Sequence, residues 1–171
     1  MSRIYLVGLP GTGKSTSGKR FAKKLGWGYA DLDKLVEMRV HQRIPDIFKQ
    51  QGEAVFRATE ASCLRETGAS HELVVGCGGG AASWGDNIDW MLANGQVIWL
   101  NIKLEELVSR LTLSRRVRPM FPSRDPADIF QRLETLLTSR VAAYARAHKV
   151  VESETALLAY ANELRFGADP K

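Results

Sequence analysis

Between the apolar run Ile4-Tyr5-Leu6-Val7 and a stretch of helical pattern, Ser15–Leu25, the chain reads Gly8-Leu9-Pro10-Gly11-Thr12-Gly13-Lys14-Ser15. This fits G-x-x-x-x-G-K-[ST], a phosphate-binding loop, and it leaves few folds open. Such a loop needs a buried strand to deliver it and a helix N-terminus to close it. Its glycines let backbone N–H groups turn inward around phosphate oxygens, and the helix dipole favours the anion. Lysine supplies a cation for the β- and γ-phosphates, and the serine hydroxyl can ligate Mg²⁺. A merely flexible turn would need neither the lysine, the serine nor the flanking pattern. The segment implies a nucleoside-triphosphate site, with Gly11, Thr12, Gly13, Lys14, Ser15 and Thr16 as its expected binding set.

The rest of the chain alternates strand-like and helix-like segments. Gly28–Ala30 reads as a short strand ending in Asp31-Leu32-Asp33. Lys34–Val40 and Pro45–Gln51 read as short helices, and Glu53–Glu66 as a longer one. Leu73–Val75 is a buried strand running into Gly78-Gly79-Gly80. Asn87–Ala93 is helical, Gln96–Ile102 another buried strand, and Leu104–Leu113 a helix. A basic, proline-punctuated loop from about 114 to 125 follows. Ala127–Ala147 makes a long helix, Lys149–Val151 a last strand and Thr155–Arg165 a closing helix. Alternation of this kind predicts a parallel sheet of about five strands with helices on both faces, and ligands gather at the carboxyl ends of such strands. The phosphate loop, the Asp31/Asp33 pair and the glycine triplet all fall at those ends, so one cleft is expected to collect them.

At 171 residues the chain has the length of one domain. No apolar run nears the ~20 residues of a membrane span, and the first strand begins almost at once, so neither signal peptide nor membrane anchor is expected and the cytoplasm is. Cys63 and Cys77 are too few for a disulfide framework and are not spaced as a metal site; His41, His71 and His148 are scattered, as surface or turn residues are. The formal charge of +5 points to anionic partners. Nucleic acid is disfavoured, because Arg115-Arg116-Val117-Arg118 has no interleaved aromatic platform and no nucleic-acid-binding motif occurs.

Asp31 and Asp33 admit two readings. If extended backbone continues through Leu32, both carboxylates project to one side, suited to metal and hydroxyl work; alternatively they cap the next helix, which Asp33 alone could do. Neither Leu73–Val75 nor Gln96–Ile102 ends in a carboxylate of the kind many P-loop enzymes use to hold Mg²⁺, so Asp31 and Asp33 are the remaining acids for that task. Three successive glycines at a strand end permit close backbone approach to a ligand. Arg57 lies on a helix whose neighbours Phe56 and Leu64 suggest a core-facing side, though a solvated arginine fits the pattern as well, and Arg140, one turn before Tyr144, fits a surface position equally well. The loop over 114–125 has the length of a lid, and a lid closing over triphosphate needs cations.

Taken together, Gly8–Ser15, Asp31-x-Asp33, Gly52-Glu53-x-x-Phe56-Arg57 with Glu60, Gly78-Gly79-Gly80-Ala81, Arg118-Pro119 and Arg140-x-x-x-Tyr144 resemble the shikimate kinases over Arg3 to about Tyr144. The resemblance implies a P-loop fold of the nucleoside-monophosphate-kinase type, a single kinase domain over 1–171 with a mobile lid and a substrate-binding helical segment over about 34–62. It implies transfer of the γ-phosphate of ATP to the 3-hydroxyl of shikimate, with Mg²⁺ as cofactor, in the pathway to chorismate and the aromatic amino acids. It further implies that Asp33 holds the shikimate hydroxyls and orients the attacking one. Arg57 and Arg140 would clamp the carboxylate, and Gly78, Gly79 and Gly80 would line the ring, Gly79 through its backbone. Arg118 would reach ATP from the lid, Arg110 would lie toward the adenine, and Ser15 and Asp31 would serve the metal. A monomer is expected.

Two departures from the family pattern stand out. The chain has Met120 where Arg-Pro-Leu is usual, and Val141-Ala142-Ala143 where a proline interrupts the last helix, which predicts a less broken helix here. The nearest rivals are a gluconate-type or nucleotide kinase, which need not carry the glycine triplet with the Arg57/Arg140 pair, and a non-catalytic nucleotide switch, which would not need Lys14, Asp33 and Arg118 together. A GTPase is disfavoured by the lack of an N-K-x-D signature.

Overall fold

The first strand, β1 (Arg3–Val7), has no polar face to give to water. Ile4 and Leu6 bury against Phe21 and Ala22 of α1 (Lys14–Leu25) and Leu157 and Ala161 of α7 (Glu154–Phe166). Tyr5 and Val7 bury on the opposite side, in the larger core. That second core is filled from α2 (Leu32–Val40), α3 (Ile44–Glu66), α4 (Asn87–Asn94), α5 (Leu104–Leu113) and α6 (Pro126–Tyr144). A strand apolar on both faces is stable only between two helical layers. This computed structural model describes residues 3–114 and 120–166.

Strands β2 (Gly28–Asp31), β3 (Leu73–Gly76), β4 (Gln96–Leu100) and β5 (Lys149–Val151) complete a five-stranded parallel sheet of order β2-β3-β1-β4-β5. The register sets Asp31 beside Gly76, Ile4 beside Val74 and Leu100 beside Val151. It aligns the carboxyl ends of β1, β2 and β3, so the phosphate loop, the acidic pair and the glycine triplet leave the sheet at one edge, as expected.

Several boundaries differ from the sequence reading, each for a local reason. The two helices expected over 45–66 do part at Gly52, whose φ of 83° and ψ of 170° no helix accommodates and which favours glycine; only the start moves, to Ile44 from Pro45. Strand β4 stops at Leu100 rather than Ile102, and α6 stops at Tyr144 rather than Ala147. Extended backbone does not continue through Leu32. Asp31 is the N-cap of α2, its side chain accepting from the Lys34 N–H at 3.4 Å, so the helix already includes Asp33, and Leu32 is fully buried. The capping role falls to Asp31, not Asp33. Two 3₁₀ turns, Thr67–Ala69 and Ala81–Ser83, are too short to leave a periodic trace in the sequence. Helix α6 is unbroken through Val141-Ala142-Ala143, as the missing proline predicts. Both cysteines are buried, Cys63 on α3 and Cys77 just past β3. All three histidines are exposed. Among the described residues no helix is long and apolar enough to cross a membrane.

Candidate active site

The phosphate loop carries its geometry in its glycines. Gly11 and Gly13 have φ of 88° and 92°, and Gly13 is the left-handed residue that opens α1. A β-carbon on Gly8 would fall 2.7 Å from the Leu100 carbonyl oxygen, so the loop can leave β1 past β4 only without one. Lys14 Nζ lies over the loop, donating to the carbonyls of Gly8 at 2.7 Å and Leu9 at 2.8 Å and to Thr12 Oγ1 at 3.3 Å. These are the bonds an ammonium makes where phosphate oxygens would otherwise compete. Ser15 and Thr16, in the first turn of α1, are exposed at the mouth. Arg110 comes from α5 to donate to the Gly11 and Thr12 carbonyls at 3.3 and 3.4 Å, which puts its guanidinium against the loop.

Ser15 Oγ donates to Asp31 Oδ2 at 2.8 Å. A hydroxyl and a carboxylate side by side are hard oxygen donors of the kind Mg²⁺ takes. Among the described residues no group of three or more His, Cys, Asp or Glu side chains could hold a metal by themselves. Magnesium in phosphoryl-transfer sites is commonly held by one or two protein oxygens plus phosphates and water, so the pair fits that ion.

Opposite the phosphate loop, four charged side chains converge on the glycine triplet. A β-carbon on Gly78 would lie 2.6 Å from Asp33 Oδ1 and 2.9 Å from Glu60 Oε1. One on Gly79 would lie 2.9 Å from Arg140 Nη1 and 3.2 Å from Pro10 Cδ, and one on Gly80 would lie 2.5 Å from Arg57 Nη2. The triplet was expected to make room for a ligand; the contacts the structure shows it making room for are those of the protein's own ionic groups. Arg57 Nη1 is held by Glu60 Oε2 at 2.7 Å. Glu60 is fully buried, and burial raises its carboxyl above the ordinary range, with Arg57 opposing the rise. Arg140, read from sequence as equally at home on the surface, is buried.

Among the described residues, two polar atoms here have no hydrogen-bond partner, Arg140 Nη1 and Glu60 Oε1. Buried charged groups are ordinarily satisfied, so an orphaned guanidinium nitrogen in a polar cleft points to an anionic ligand. Tyr144 steadies this wall: its hydroxyl donates to the Gly79 carbonyl, and burial pushes its pKa up to about 12, leaving it a neutral donor.

The structure therefore gathers Asp33, Arg57, Gly78, Gly79, Gly80 and Arg140 into one pocket, and Gly11, Thr12, Gly13, Lys14, Ser15, Thr16, Asp31 and Arg110 along the neighbouring loop. Arg118 lies outside the described residues, as does the stretch from Arg115 to Pro119 of the expected lid. Sequence reasoning left Glu60, Tyr144 and Tyr29 without a role. For Glu60 the signal was present: it stands three residues after Arg57, on a helical face shared with Cys63 and Leu64.

A phosphate loop at the centre of this five-stranded parallel sheet, beside a pocket lined by carboxylates and arginines, defines a P-loop phosphotransferase. The family model for shikimate kinase matches residues 10–164. A shikimate kinase of Parasynechococcus marenigrum (strain WH8102) is 40% identical over 157 residues, covering 90% of this chain and 80% of its own. The crystal structure of shikimate kinase from Bacteroides thetaiotaomicron superposes with a TM-score of 0.89 at 29% identity, covering 99% of both chains. That of shikimate kinase from Acinetobacter baumannii in complex with shikimate gives 0.85 at 32% identity, over 100% of this chain and 96% of the other. The chain belongs to the shikimate kinase family.

Proposed function

We infer that this chain transfers the γ-phosphate of ATP to the 3-hydroxyl of shikimate, giving shikimate 3-phosphate and ADP. The observation that carries the reading at the level of the site is the unpartnered, buried Nη1 of Arg140 beside the Arg57–Glu60 pair. Two guanidinium groups converging on one pocket match a planar carboxylate, which accepts their paired donors. Asp33 at the facing wall is the acceptor for a ring hydroxyl and aims that oxygen at the phosphate loop. Phosphoryl transfer asks the protein mainly for in-line positioning and charge stabilisation.

Lys14 exchanges its loop carbonyls for the β- and γ-phosphate oxygens when nucleotide binds, and Arg110 flanks the base. Ser15, with Asp31, would hold the Mg²⁺ that accompanies ATP, which supplies charge neutralisation on the phosphates. Arg118 adds the cation needed as charge spreads over the transferring group. The reading includes a cytoplasmic monomer; sedimentation tests the monomer, and cell fractionation the compartment.

The deciding experiment is coupled ADP release with shikimate, quinate, gluconate and nucleoside monophosphates as acceptors. Shikimate is expected to be turned over with the highest kcat/KM. A shikimate analogue with the carboxylate reduced to an alcohol is expected to bind poorly. Preference for gluconate or a nucleotide, or equal affinity for the reduced analogue, would overturn the assignment of the two arginines.

A further inference from the structure

Tyr29 belongs to none of the motifs above, yet its ring sits in a slot cut by two glycines. A β-carbon on Gly18 of α1 would lie 2.8 Å from Tyr29 Cε2, and one on Gly76 of β3 would lie 2.2 Å from its hydroxyl oxygen. The slot has a simple origin. Residues two apart on a strand share a face, so Tyr29 and Asp31 both project from β2 toward α1. Residues three apart on a helix share a face too, so Ser15 and Gly18 both look back at β2. The register sets Asp31 beside Gly76, which has no side chain to compete with the Tyr29 ring for this space.

The phenol is thus delivered to the base of the Ser15–Asp31 pair. Its hydroxyl donates to the Lys14 carbonyl at 3.3 Å, in the first turn of α1 next to Ser15. The ring occupies the floor and the hydroxyl pins the turn that carries Ser15, whose own hydroxyl is committed to Asp31 at 2.8 Å.

We propose that Tyr29 is a positioning residue for the metal pair, holding the Ser15 hydroxyl and the Asp31 carboxylate at the spacing a nucleotide-bound divalent cation requires. The inference rests on the reading of Ser15 and Asp31 as the metal-serving residues. A group that orients ligands without touching the ion typically changes metal affinity by about 10–100-fold when removed. A single neutral hydroxyl belongs at the lower end of that range.

The test is Tyr29→Phe, which keeps the ring in its slot and removes only the oxygen. Mn²⁺ binding to the protein complexed with a non-hydrolysable ATP analogue, followed by loss of the free-ion electron paramagnetic resonance signal, reads metal affinity without turnover. Tyr29→Phe is expected to weaken Mn²⁺ about tenfold and to raise the Mg²⁺ concentration for half-maximal rate by a similar factor. Metal-free binding of the analogue and binding of shikimate should be unchanged. Unaltered Mn²⁺ affinity would overturn the proposal; so would parallel losses in metal-free nucleotide and shikimate binding, which would make the hydroxyl a general structural contact. Ser15→Ala and Asp31→Asn, measured alongside, separate the two levels. If neither weakens Mn²⁺, the metal assignment itself falls and the role of Tyr29 falls with it. If both weaken it while Tyr29→Phe does not, only the inference about Tyr29 is wrong.

Discussion

Gly80→Ala tests whether the glycine triplet shapes the site through the side chains it faces. The backbone itself has no objection, because Gly80 has φ of −99° and ψ of −8°, which alanine adopts freely. The cost is steric and local. The new methyl would sit 2.5 Å from Arg57 Nη2 and 3.0 Å from both Cζ and Nη1. Comfortable contact needs about 3.5 Å, so the guanidinium must retreat by ~1 Å. That is enough to spoil the 2.7 Å pair with Glu60 and any bidentate grip on a carboxylate. Loss of one aligned, desolvated charge contact costs about 2–3 kcal/mol at the lower end of measured cases. Shikimate binding should therefore weaken about 30–150-fold, with ATP binding little changed. Isothermal titration with each ligand separately measures both. The informative control is the double variant: once Arg57→Ala has removed the guanidinium, Gly80→Ala has nothing left to displace and should cost almost nothing more. Additive losses in the double variant would refute the reasoning, since the methyl would then be acting on something other than Arg57.

Asp33→Asn keeps the side chain's size but removes the charge proposed to polarise the attacking hydroxyl. We expect a large fall in kcat with ATP affinity preserved; loss of ATP affinity alone would move Asp33 to the metal side. Arg118→Ala should lower kcat far more than it raises the ATP dissociation constant, as befits a contact made mainly in the transition state, whereas Arg115→Ala and Arg124→Ala should be milder. Equal small effects in steady-state rates across the three would make the segment a diffuse basic surface. Glu60 gives a pH signature. Its folded pKa is raised, so the unfolded chain releases this proton first, and stability falls as pH rises from about 4.3 toward the folded value. Urea midpoints should show that slope in the parent and lack it in Glu60→Gln.

How much of this was legible beforehand depends on the range over which each feature is encoded. The phosphate loop, the alternating strands and helices, and the break at Gly52 are written in contiguous residues, and each was readable. Convergence of three strand ends followed from the parallel sheet alone. The capping choice between Asp31 and Asp33 was not readable, because either side chain can satisfy a first-turn N–H and the outcome turns on where Leu32 finds the core. The pairing of Gly78 with Asp33 and Glu60, Gly79 with Arg140, and Gly80 with Arg57 leaves no periodic trace either. Those contacts join segments that meet only when the sheet, α3 and α6 are assembled. Arg140 was ambiguous for the same reason: a helix that is polar on several sides does not announce which charge it buries.

The two cysteines make the folded chain its own reporter of opening. Burial raises both thiols above their ordinary range, and each is only 2% exposed, so an alkylating reagent meets a protonated, inaccessible sulfur unless the structure opens. Cys63 samples α3 and Cys77 the strand end beneath the glycine triplet, so their labelling rates resolve two regions of one molecule without any introduced probe. A ligand that binds only the closed pocket should slow Cys77 by the factor 1 + [L]/Kd in the fast-closing limit. Mass-resolved alkylation would thereby convert a packing detail into a binding isotherm measured on the unmodified protein.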